Sequence, residues 1–199
     1  MRTGLILFVV LAVGGLSFWY WKQNSIPLNN ASAGAMDSVS AAVDTPRSKH
    51  SHHLIAPNMH IDSIAIHKGP RELLVFSKDV LVKKYNVALG LAPVGKKEVE
   101  GDYKTPEGLY KIDGKNPLSL YHKSLGVSYP NADDIEHAKS LGQKPGGDIK
   151  IHGLMKNMFN TGKNHIKSNW TSGCIAVTNE EIDELYQQVK VGTPVFISP

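Results

Sequence analysis

A chain of 199 residues with 41% hydrophobic content can bury one ordinary core, but not two full-sized ones beside a membrane segment. Its formal net charge of +4 and pI near 9.0 suit a polyanionic neighbour such as cell wall or lipid headgroups. Nucleic acid is excluded as a partner on pattern, because no Lys/Arg cluster or interleaved aromatic stripe occurs.

After Arg2, residues 4–21 run without a charge, about the length of a bilayer-crossing helix, and end in Phe18, Trp19, Tyr20, Trp21 and Lys22. This predicts a signal anchor over residues 1–22. The rival is a cleaved leader ending at Ala31-Ser32-Ala33, but that site lies far from the apolar run. Either reading places the rest of the chain outside the cytoplasm: in the cell envelope, on a single-pass inner-membrane anchor, in the periplasm or beyond it. Residues 23–59 are rich in Ala, Ser, Asn and Asp, with no lasting apolar periodicity, and read as a flexible linker. His50, His52 and His53 fall in it without further ligands at useful spacing, so no metal site is assigned.

From residue 60 to 199 the pattern is that of one catalytic-sized domain. Short apolar runs at 63–67, 72–76 and 80–89, separated by turn residues, predict strands in a meander. A Gly-, Pro- and charge-rich loop over 90–108 leads to a further short strand at 109–112. Asn131 with Asp134 three residues on, and Gly142 just past Leu141, bound a first helix. Residues 148–152 and 175–177 read as strands. Thr178 and Glu181 have the capping-box spacing, and Ile182, Leu185, Tyr186 and Val189 then share one helical face. A last strand covers 195–197. The class is mainly β with two or more short helices.

The one cysteine, Cys174, has no intramolecular disulfide partner and must be explained as a free thiol. Its bland explanation is a small buried hydrophobe. The alternative starts from the element ends. A strand enters Gly153 directly after His152, and Thr171-Ser172-Gly173-Cys174 forms a tight turn feeding the next strand. That layout can bring an imidazole to a thiol, which needs a base to become a nucleophile, and a thiolate/imidazolium pair with a depressed thiol pKa is the expectation. Amide N–H groups around Gly173 could form an oxyanion hole. With nine histidines in the chain, residue types alone leave the pairing open. Tyr121, His122, Tyr129 and Trp170 are candidate groove aromatics, with core packing as the bland reading, and His165 reads as a solvated loop histidine.

Ile151-His152-Gly153 followed by Thr171-Ser172-Gly173-Cys174-Ile175 resembles the signature of the L,D-transpeptidase (YkuD-like) catalytic domain. The likeness continues upstream through residues 87–90 and 93–95, Gly101-Asp102, and Lys104-Thr105-Pro106-Glu107-Gly108 with Tyr110. It implies a β-sandwich-like domain acting on peptidoglycan stem peptides in cell wall biogenesis and cell shape. Cys174 would hold the stem as a thioester and His152 would donate and accept the proton. The Gly173 and Cys174 amides would bind the oxyanion. Ser172 would belong with them to the catalytic turn, and Gly153, Thr171, Tyr129 and Trp170 would border the substrate, with neither metal nor organic cofactor required. The acceptor would be another stem's amine or a lysine of an envelope protein. Two positions depart from the family's common pattern: Ser172 stands where many relatives have a second His, and Ala176 where many have Arg. A hydrolase cutting the same type of bond is the closest alternative. A non-catalytic wall-binding module comes third.

Overall fold

The computed structural model describes residues 55–56 and 59–199, of 156 and 158–161 the backbone only. The predicted anchor and most of the predicted linker lie outside the described residues. Among the described residues no helix is long and apolar enough to cross a membrane.

Eight strands form one hydrogen-bonded sheet: β1 (Ser63–His67), β2 (Glu72–Ser77), β3 (Val80–Asn86), β4 (Gly108–Ser119), β5 (His122–Val127), β6 (Lys150–His152), β7 (Ile175–Ala176) and β8 (Pro194–Ser198). Their order is β3-β2-β1-β8-β4-β5-β6-β7. The meander β1-β2-β3 forms as its alternation demands, with Ile64, Ile66, Leu73 and Val75 all turned inward and buried. β4 joins the two halves. Its first residues pair with β8 and its later ones with β5, so the expected sandwich is here one continuous sheet whose halves share a strand.

The sequence pattern underestimates this part: β4 runs to Ser119 and β5 is not anticipated. The stretch 113–120 carries Gly114, Asn116, Pro117 and Ser119, a composition that reads as turn, and it is mostly solvent-facing. Two register shifts in the β4–β5 ladder absorb those residues, so the hairpin survives a sequence that lacks a clean period of two.

Both predicted helices form, because their caps are complete within a few residues of chain. In α1 (Ala132–Ser140) the Asn131 side chain accepts from Asp134 N and the Asp134 carboxylate accepts from Asn131 N, each at 3.0 Å. In α2 (Asn179–Gln188) Thr178 and Glu181 do the same. Ile182, Leu185 and Val189 are fully buried against both halves of the sheet, in a single apolar cluster with Ile64, Leu125 and Ile151. Each such side chain contributes about 1.5–3 kcal/mol of transfer free energy. That packing holds the β6–β7 ledge, from which the site projects.

Candidate active site

β6 and β7 lie parallel, with Ile151 opposite Ile175 and His152 opposite Ala176. Ile151 and Ile175 point into the core and are fully buried. Alternation therefore turns Lys150, His152 and Cys174 to the other face, where all three line one cavity of about 640 Å³. Strand spacing puts the Cα atoms of His152 and Cys174 on a diagonal of about 8 Å, and places Lys150 directly opposite Cys174 at about 5 Å. The structure thus brings together the two residues that the motif singles out.

His152 is 3% exposed, and its Nδ1 donates to the Gly153 carbonyl at 2.7 Å. A carbonyl can only accept, so Nδ1 carries the proton and Nε2 presents its lone pair, which no described residue engages. Burial pushes the imidazole down to about 4; the Gly153 bond acts the other way, and nearby Lys150 and His165 add to the depression. The ring is walled by Tyr121 at 4.3 Å and Trp170 at 5.8 Å between centroids.

The thiol of Cys174 donates to the Asp148 carbonyl at 3.6 Å and makes no hydrogen bond to His152. Burial pushes the thiol above its ordinary range, a rise opposed by the Lys150 backbone amide. The expected resting ion pair is therefore corrected: thiol and imidazole are both neutral at pH 7, because desolvation in this half-closed site disfavours either charge.

A second correction concerns Gly173. Its N–H donates to Thr171 Oγ1 at 3.1 Å, and the same hydroxyl donates to the Cys174 carbonyl at 2.7 Å. The donor that sequence assigned to an oxyanion is thus taken, whereas the Cys174 N–H bonds to no described residue. Gly173 serves the turn instead. It holds φ +130°, and a Cβ there would lie 2.7 Å from the Lys104 carbonyl.

Of the other predicted residues, Ser172, Thr171 and Trp170 line the cavity. Gly153 sits behind it, its backbone orienting His152. Tyr129 does not reach the site: it is 5% exposed, its hydroxyl donates to the Pro145 carbonyl, and its ring packs edge-on against Tyr110. His122 pairs with Asp183 at 2.8 Å, away from the cavity lining. His165 is buried rather than solvated, because the 3₁₀ segment Lys156–Lys167 folds it inward with Nδ1 on the Gly162 carbonyl. Tyr121, a candidate groove aromatic, also lines the cavity. The sequence does not single out Asp148 or Lys150 as site residues: lone polar residues at strand ends carry no periodic signal, and only the cross-strand register collects them.

This fold and this cysteine–histidine cavity define the L,D-transpeptidase catalytic domain family, and the chain belongs to it: the family's model (YkuD) matches residues 61–197. Among curated proteins it is similar to YafK of Escherichia coli (strain K12), with 31% identity over 121 residues covering 60% of this chain and 41% of YafK. It is also similar to YqjB of Bacillus subtilis (strain 168), with 28% identity covering 68% and 70%. Both are named as L,D-transpeptidases. Among solved structures it is similar to the helical cell shape determining protein Pgp2 of Campylobacter jejuni, with TM-score 0.54 and 27% identity, covering 71% of this chain and 48% of Pgp2. Bd1075 of Bdellovibrio bacteriovorus gives TM-score 0.50 and 25% identity, covering 72% and 49%. The chain therefore spans less than half the length of YafK and of Pgp2.

Proposed function

We propose that this protein is a cysteine-dependent L,D-transpeptidase acting on peptidoglycan stem peptides in the cell envelope. The observation that carries the reading is the placement of Cys174 and His152 on one face of adjacent parallel strands, lining one cavity with the base's Nε2 lone pair unengaged. As the thiol sulfur attacks the scissile carbonyl, its proton moves to His152 Nε2, and the neutral resting pair avoids a buried charge until substrate arrives. The Cys174 N–H stabilises the oxyanion. Collapse expels the terminal D-amino acid, which takes the proton from His152, and leaves a thioester. His152 then removes a proton from the attacking amine, another stem's or a protein lysine's, and the thiol is released. The predicted anchor over 1–22 and linker over 23–59 would hold the domain over the wall.

Mass analysis of tetrapeptide stems incubated with the chain tests this. A thioester adduct on Cys174 and an amide-linked product with an added amine support transfer. Loss of the D-residue without capture of amine assigns hydrolysis of the same bond. Absence of any adduct overturns both.

A further inference from the structure

The charge arrangement beside the thiol points to more than the nucleophile and its base. Among the described residues lining the cavity, Lys150 is the one cationic side chain, and it lies opposite Cys174 across the β6–β7 rung. Among the described residues its ion-pair partner is Asp148, at 2.5 Å. The two differ in exposure: the Lys150 side chain is 33% accessible, whereas that of Asp148 is 81% accessible and stands in water. A pair this exposed on one side contributes little and exchanges partners at low cost. Lys97, the other cation whose charge acts on the thiol, is 4% exposed, bonded to Asp102 and the Val99 carbonyl, and does not line the cavity.

We propose that Lys150 is the anchor for a peptide carboxylate held beside the carbonyl that Cys174 attacks, with Asp148 as its displaceable counter-ion in the empty site. This rests on the proposed reading and names the chemistry of its substrate. A carboxylate entering a cavity walled by Tyr121, Trp170 and Leu120 loses much of its hydration, and a charge-assisted bond to Lys150 offsets that loss. Lys150 is close enough to lower the titration of both Cys174 and His152, so an anion bound on it is felt at the reacting atoms. Asp148 holds φ +59° immediately before the strand, a conformation that aims its carbonyl at the Cys174 thiol and its carboxylate at Lys150. Two groups can supply the carboxylate: the C-terminus of the leaving D-amino acid, or the side-chain centre of a diamino acid.

The test begins with two alkylating probes of equal mechanism and different charge, iodoacetate and iodoacetamide, on the full chain. Cys174 is the one thiol present, and its thiolate displaces iodide from both reagents, so the ratio of their rates cancels the thiolate fraction. The ratio of iodoacetate to iodoacetamide should fall roughly fivefold in Lys150→Gln, hold in Lys150→Arg, and rise severalfold in Asp148→Asn, which tolerates the left-handed backbone. An unchanged ratio in Lys150→Gln overturns the proposal. This arm needs no turnover, so its failure is distinct from failure of the transpeptidase reading. A second arm compares stem peptides amidated either at the C-terminus or at the diamino-acid side chain. The KM penalty of Lys150→Gln should vanish for the one amide that removes the anchored carboxylate, and an equal penalty for all peptides overturns it as well.

Discussion

The His152 Nδ1–H donates 2.7 Å to the carbonyl of Gly153, its own neighbour in the chain. That short bond sets the tautomer, turns Nε2 toward the cavity, and ties the imidazole to a residue that cannot carry a side chain. The consequences run through the pH behaviour, the fold and the turnover of the site.

Because burial depresses His152 to about 4 from an ordinary 6.5, the imidazole proposed as base stays neutral through the whole range above pH 5. The turnover profile should be flat from about pH 5 to 8 and fall toward pH 4. The raised thiol of Cys174 predicts slow iodoacetamide labelling at pH 7, gaining only above the ordinary thiol range. Rapid labelling at pH 6 would show that the site holds an ion pair at rest.

Stability follows the same shifts. The folded pKa of His152 lies below its unfolded value, so the unfolded state binds more protons between pH 6.5 and 4, and stability is lost as pH falls through that window, by up to about 3 kcal/mol. For Cys174 the folded value lies above the unfolded one, so its contribution is present below pH 9 and lost as pH rises past it. Urea midpoints at pH 4 and 7 for the wild type and His152→Gln should converge at the lower pH.

Replacing Cys174 by Ser should abolish thioester formation, by more than about a thousandfold, with denaturation midpoints shifted by less than about 1 kcal/mol. The side chain is half-buried and its hydrogen bond to the Asp148 carbonyl is available to a hydroxyl. Intact-mass analysis after incubation with stem peptide reads the first effect and urea titration the second.

Tyr121 covers one face of His152, so Tyr121→Ala should admit water to the ring. Its pKa then rises toward 6.5, the acid limb of the turnover profile moves up by a pH unit or more, and kcat drops roughly 10- to 100-fold through lost orientation. Tyr121→Phe keeps the ring contact and should behave as wild type. An unmoved acid limb in Tyr121→Ala would assign the depression to other neighbours.

Gly153→Ala places a Cβ 2.5 Å from Asn179 Oδ1, 2.9 Å from Ile182 Cγ2 and 3.0 Å from the Tyr121 carbonyl. Three elements meet there. Asn179 Oδ1 also accepts from Leu154 N, which pins the start of α2 to the end of β6. The substitution should cost about 2–3 kcal/mol and lower activity by disturbing His152, as read from urea midpoints and turnover together.

What the sequence determined by itself is local. The two capping boxes close within three residues, the β1–β2–β3 alternation sorts its own side chains, and the His152-Gly153 and Gly173-Cys174 pairs mark a candidate base and a candidate nucleophile at element ends. Tertiary structure decided everything that depends on distance across the fold. Register on the β6–β7 ledge set Lys150 beside Cys174, the bulged β4–β5 hairpin carried Tyr121 over His152, and packing withdrew Tyr129 into the core while drawing His165 in from its loop. The protonation of the site belongs to the same class. A thiol and an imidazole titrate according to how much water they lose, and that loss is set by side chains far apart in the chain that only folding assembles.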